Sequence, residues 1–247
     1  MTAEGRGAIR ASRGERSSPF RTAAKAHLTA PSGKGGGTIA MKRDIDPQPR
    51  SVAVVGNAPD MTDQGACIDA ADWVVRFNNA AGFGARAGRR VTHLALVNHG
   101  GQMREWLEDP DFVRRPVVRG AGIILFPFPR KDGPADDRNE DGRDWTRQAE
   151  VRLAPLGAEI AMLPDCVHRD ARTILGASCT PAAVPSTGFL VTLHLLAILS
   201  RNVAIGIHGF GFEGWDGHGW QAERRWFEAM RGAGRLNLHA LDANLAP

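Results

Sequence analysis

From residue 50 onward, short β-branched runs alternate with segments of helical character, and this alternation constrains the fold more than any other feature. Val52–Val55 is a compact apolar run stopped by Gly56-Asn57, the pattern of a strand buried on both faces. Trp73–Phe77, Thr92–Val97, Ile123–Phe126, Ile160–Leu163, Val203–Ile207 and Leu236–Leu241 read as further strands. Between them Gly101–Leu107, Trp145–Leu156, Asp165–Leu175, Thr187–Leu199 and Gln221–Met230 read as helices, with Asp165 as an N-cap. Residues 130–144 are charged, contain Gly and Pro, and read as an exposed loop. The alternation predicts an α/β, Rossmann-like domain: a mostly parallel sheet with helices on both faces.

Charge separates the chain into two parts. Residues 1–40 hold seven Lys/Arg and two Glu, a net of +5, so the remainder of a chain of net +4 carries −1. The basic balance therefore belongs to the N-terminal segment, and nothing in the domain calls for nucleic acid as a partner. Residues 1–45 lack the apolar content to fold alone. They read as a disordered basic tail, as an organelle-type leader weakened by its Glu and Gly residues, or as sequence ahead of a true start at Met41. Residues 46–247 then form a single domain. No run of about 18 apolar residues is present, so no transmembrane segment is expected. Cys67, Cys166 and Cys179 include no CxxC pair, which argues against a disulfide framework or a zinc site. They are expected as reduced, partly buried thiols, in keeping with a cytoplasmic location and a site without metal.

Four short segments carry chemistry. Gly56-Asn57 follows the first strand, at the edge where open α/β sheets bind ligands. Gly56 permits close approach and Asn57 offers a donor and an acceptor, although an ordinary turn also explains the pair. There is no GxxxxGK[ST], so ordinary P-loop use has no support in the sequence. Arg76-Phe77-Asn78 ends the second strand, where Arg76 is either a ligand contact or a structural partner of Asp69 or Asp72. Ser186-Thr187-Gly188, after Pro185, opens a helix whose free N–H groups suit an anion as well as a simple cap. His218 and Glu223 have the form H-x4-E just ahead of the last helix, and a histidine there is suited to general-base work near neutral pH.

In their order and spacing these segments resemble the sialylmotifs of glycosyltransferase family 29, the sialyltransferases. Gly56-Asn57, Ile68-Asp69, Asp72 and Val74-Val75-Arg76-Phe77-Asn78 resemble the long motif, with Gly82 through Thr92-His93 as its tail. Pro185-Ser186-Thr187-Gly188 resembles the short motif, and His218 with Glu223 the very short one. The resemblance implies a sialyltransferase-like variant of the GT-A type of fold and an inverting transfer of sialic acid, or a related acidic sugar, from a CMP-activated donor. The acceptor would be a glycan hydroxyl, with no separate cofactor and no metal. Gly56, Asn57, Arg76, Asn78, Ser186, Thr187 and Gly188 would hold the donor. His218 would be the base and Glu223 its companion in the catalytic group. Val52 and Ser200 stand where family members carry a disulfide, and the motif between the short and very short ones is compressed around His208, Phe212 and Trp215. A non-catalytic nucleotide-binding accessory protein of the same fold is the alternative.

Overall fold

A computed structural model describes residues 48–131, 142–176 and 183–241. The basic N-terminal segment, most of the 130–144 loop and Cys179 lie outside the described residues. Seven strands form one sheet: β1 (Ser51–Val55), β2 (Trp73–Phe77), β3 (His93–Ala95), β4 (Ile123–Phe126), β5 (Glu159–Met162), β6 (Ala204–His208) and β7 (Asn237–Leu238). Their spatial order is β5-β4-β3-β2-β1-β6-β7, and every neighbouring pair is parallel. The third strand is shorter than its apolar run, and only Asn237–Leu238 of the last one pairs.

Helices connect the strands: α1 (Gly65–Asp69), α2 (Gly101–Glu108), α3 (Pro116–Gly120), α4 (Thr146–Leu153), α5 (Asp165–Leu175), α6 (Thr187–Ile198) and α7 (Trp220–Gly232). Alternation along each strand sorts side chains between the two faces. Val52, Val54, Val75, Phe77, Ile205 and Ile207 pack under α5, α6 and α7, where Phe189, Trp226 and Phe227 fill the centre. On the other face Leu94, Ile124 and Phe126 meet Met103 and Trp106 of α2, Val117 of α3 and Leu153 of α4. Ala53, Val55 and Val74 meet Ile68 of α1 on that face. A sheet covered on both sides is why these strands read as continuous apolar runs.

Two local expectations are corrected. Pro164, extended at ψ 146°, is the N-cap of α5, and Asp165 is its first helical residue. Its carboxylate is still favourably placed in the first turn. The helix expected over Trp145–Leu156 breaks into α4 and a 3-10 turn, Ala154–Leu156, because Pro155 cannot continue the α-helical bonding.

The chain builds the sheet outward from β1 to β5 and then returns to place β6 on the other side of β1. That reversal opens a crevice at the carboxyl ends of β1 and β6, the position at which this kind of sheet binds ligands. α6 precedes β6 and α7 follows it, so both helices have their N-termini at this edge.

Candidate active site

The crevice is closed tightly at its base. Gly56 N–H donates to His208 O at 2.8 Å and Ala58 N–H to Gly209 O at 3.0 Å, which extends the β1–β6 pairing past the strand ends. Gly56 is required there, because a Cβ would lie 2.3 Å from Gly209 O and 2.8 Å from the Phe210 ring. The same ring lies against Gly188 in the first turn of α6, where a Cβ would come within 2.9 Å of it. Phe210 thus joins the turn after β1 to the start of α6, bringing together segments more than 130 residues apart.

Asn57 and Asn78 stand at the same edge. Asn57 Nδ2 donates to Phe77 O at 3.2 Å, and Oδ1 accepts from Ala81 N at 2.9 Å. Asn78, in the left-handed region at φ 52°, accepts from Val97 N at 3.0 Å. Both amides therefore tie strand ends together, and Asn57 commits a donor and an acceptor to the backbone.

Arg76 has a different place from a ligand contact. It is fully buried, and its guanidinium donates to Arg90 O at 2.7 Å and Ala87 O at 2.5 Å. Desolvation pushes its pKa down to about 10, against the pull of Asp69. Asp69 in turn accepts from the N–H groups of Arg89 and Arg90. Arg76 and Asp69 together pin the 82–90 loop and so serve the scaffold.

Ser186 and Glu223 form a buried pair across 37 positions of sequence. Glu223 is 1% exposed; Oε1 accepts from Ser186 N at 2.7 Å and Oε2 from Ser186 Oγ at 2.5 Å. Ser186 Oγ also accepts from Phe189 N at 3.1 Å, the side-chain cap of α6. Burial raises the Glu223 pKa, and the Ser186 hydrogen bonds oppose that shift. Glu223, expected beside His218 as a catalytic group, cannot reach a substrate from here: both its oxygens lock α7 to the cap of α6. It is a positioning residue, and Ser186 is its partner. Thr187 and Gly188 follow the cap, and helix geometry leaves their N–H groups without intrahelical acceptors.

That lock fixes His218. Val184 N donates to Gly217 O at 2.9 Å, and His218 Nδ1 lies 2.6 Å from Val184 O. A carbonyl only accepts, so Nδ1 carries the proton and Nε2 is the bare nitrogen of the neutral ring. Burial lowers the His218 pKa, with the Val184 carbonyl opposing, so the ring is neutral and basic at pH 7. Trp215 and Trp220 contact it edge-on, with centroids at 4.9 and 4.7 Å.

His218 lines an open cleft of about 610 Å³ together with Phe212, Glu213, Asp216, Trp220 and Arg225. This volume is in the range of small-molecule sites, roughly 300–1,000 Å³. Arg225 makes no ion pair among the described residues and is the cation that the sequence reading missed. Its signal was its position one turn beyond Gln221 on the same helix face. Gly56, Asn57, Arg76, Asn78, Ser186, Thr187 and Gly188 do not line this cleft. Among the described residues no cluster of three or more His, Cys, Asp or Glu is arranged to hold a metal. Cys67 and Cys166 are exposed free thiols, where partial burial was expected. No described helix is long and apolar enough to cross a membrane.

No protein-family profile matches the chain. Among curated proteins it is 28% identical over 219 residues to the urease operon 23 kDa accessory protein of Rhizobium meliloti (strain 1021), covering 80% of this chain and 97% of that protein. Among solved structures it resembles a mammalian sialyltransferase, with a TM-score of 0.51 and 16% identity over 92% of this chain and 81% of the other. The sialyltransferase CstII from Campylobacter jejuni, in complex with cytidine-5'-monophosphate, gives 0.50 and 10%, covering 79% and 80%. An α-2,3-sialyltransferase from the same organism, in apo form, gives 0.51 and 10%, covering 79% and 76%. At such low identity the likeness is one of architecture: the all-parallel α/β sheet of this chain is a sialyltransferase-like, Rossmann-type fold.

Proposed function

We propose that the chain is an inverting glycosyltransferase that moves sialic acid or a related acidic sugar from a CMP-activated donor to a glycan hydroxyl. The observation that carries the proposal is the state of His218: Nδ1 is held by Val184 O and Nε2 is bare at a cleft built by the segment that follows β6. The sialyltransferase-like fold supports the choice of reaction. In this reading the acceptor O–H gives its proton to His218 Nε2 as the oxygen attacks the anomeric carbon. A new C–O bond forms on one face while the bond to the CMP phosphate breaks on the other. The electron pair leaves with CMP. Thr187 and Gly188 N–H groups at the start of α6, with the positive end of the helix dipole, are suited to that phosphate. Arg225 is suited to a second anionic group, the sugar carboxylate, through its planar fork of donors. Asn57 and Asn78 support the site by holding the turns after β1 and β2, with the Asn78 amide donors as further contacts for the donor nucleotide.

The test is calorimetric titration of the full chain with CMP and CMP-sialic acid, with UMP as control. Cytidine-selective binding, followed by sugar transfer that His218→Ala abolishes, is the expected result. A folded chain that binds no cytidine nucleotide sinks the proposal. A second reading has its own observation: the relative matched over 97% of its length is an accessory protein of a urease operon. Under that reading the chain is a non-catalytic protein of the same fold, and His218→Ala leaves its role intact.

A further inference from the structure

We infer that Trp215 is the platform for the acceptor sugar, one pyranose face stacking on its open indole face beside His218. This rests on the transferase reading and adds the subsite that the reading leaves unassigned. Trp215 is 63% exposed, one of only four large apolar side chains exposed among the described residues. It is nevertheless held in place. Gly217 packs flat against the indole, where a Cβ would come within 2.2–2.4 Å of three ring carbons. Trp215 O accepts from His218 N at 3.2 Å and from Trp220 Nε1 at 3.1 Å, closing residues 215–220 into a tight unit. The His218 ring meets the indole edge-on at 87°.

The surrounding groups select the ligand. Glu213, Asp216 and Gln221 line the cleft of His218, whose ring the Trp215 indole contacts at 4.9 Å between centroids. Carboxylates accept hydrogen bonds from hydroxyl groups, and an amide both accepts and donates. A wholly apolar ligand would leave these groups desolvated without partners. A nucleic-acid strand would place phosphates beside two carboxylates. A pyranose satisfies both demands, with a C–H face for the indole and a rim of hydroxyls for the carboxylates. A fixed, half-covered indole also loses little side-chain entropy on binding.

The experiment is saturation-transfer NMR of the full chain with lactose and methyl β-galactoside, on wild type, Trp215→Ala and Trp215→Phe, with CMP titrated in parallel. Trp215 is exposed, so the substitutions leave the core intact. Saccharide affinity is expected to fall about tenfold in Trp215→Ala, equivalent to about 1.4 kcal/mol, and to be largely kept in Trp215→Phe, with CMP affinity unchanged. Equal saccharide binding by wild type and Trp215→Ala overturns the inference, as does failure of wild type to bind either sugar. Loss of CMP binding in place of saccharide binding also overturns it, because the indole would then serve the donor base. Saccharide binding that depends on Trp215, in a chain that binds no cytidine nucleotide, leaves the platform standing and removes the transferase reading.

Discussion

A histidine serves as a base when one ring nitrogen is held as a donor and the other is bare. His218 meets that condition because Val184 O occupies Nδ1, and burial keeps the ring neutral. The sign of the pH dependence follows. The folded pKa lies below the ordinary 6.5, so the active neutral form dominates at pH 7 and is lost as pH falls through that lowered value. Under the proposed function, kcat/KM is flat from pH 7 upward through the neutral range and drops on the acid side, with the midpoint below 6.5. His218→Ala removes about 10²–10⁴-fold of the rate. A rate profile with its acid limb above pH 7, or a full-rate His218→Ala variant, contradicts the assignment. At this scale Glu223 shows how burial changes a residue's work: the same carboxylate that reads as a catalytic partner in H-x4-E is a clamp once both oxygens hold Ser186.

The element that decides the geometry of the crevice is α6. Its first turn carries a glycine, normally unfavourable in a helix by about 0.8–1 kcal/mol relative to Ala. At Gly188 that penalty is outweighed by contact with Phe210, whose ring would sit 2.9 Å from a Cβ. Phe210 has little room to move, packed at 6.0 Å from Phe77 and 5.3 Å from Phe227. Gly188→Ala is therefore expected to destabilise the protein by about 1–2 kcal/mol, since overpacking outweighs the propensity gain. In a Phe210→Leu background the same substitution becomes neutral or stabilising. Urea unfolding of the four proteins measures this cycle, and a Gly188→Ala single variant more stable than wild type would refute the packing account. The β2 end and the 82–90 loop form another such element. The residues that most resemble the long motif there, Asp69 and Arg76, hold loop backbone, which explains their presence without a ligand.

At the scale of the whole molecule, buried histidines set the acid limit. His93, tucked against Trp73, and His208, stacked at 4.0 Å on His239, are pushed down to about 4 by burial, with His239 and Arg76 adding to the shift at His208. Their folded pKa values lie below the unfolded 6.5, so the unfolded chain binds more protons between these limits. The stability that these neutral rings contribute is complete above pH 6.5 and is lost as pH falls towards 4. Each shift of that size corresponds to roughly 3 kcal/mol at most. Unfolding free energy is expected to decline steadily from pH 6.5 to pH 5, and a flat profile over that interval would show that these rings protonate without unfolding pressure.

How much of this was legible in the sequence depends on the range of the interaction. Val52–Val55 ending at Gly56-Asn57, and Ser186 opening the apolar helix α6, were readable because β-branched bulk, a glycine stop and a hydroxyl cap act on their immediate neighbours. Parallel strands under two helical layers followed from the order of such local signals. The His218 imidazole was visible as a candidate, but its tautomer was not, since it depends on a carbonyl 34 residues away. Arg225 was signalled only by its helical spacing from Gln221, and only the fold sets it in one cleft with His218 and puts the Trp215 indole against the His218 ring. The sequence alone determined which segments become strands and helices and which residue types could do chemistry. The tertiary structure decided which polar groups face the cleft and which are consumed by the scaffold. Burial and long-range hydrogen bonding make that choice, and neither is a property of neighbours along the chain.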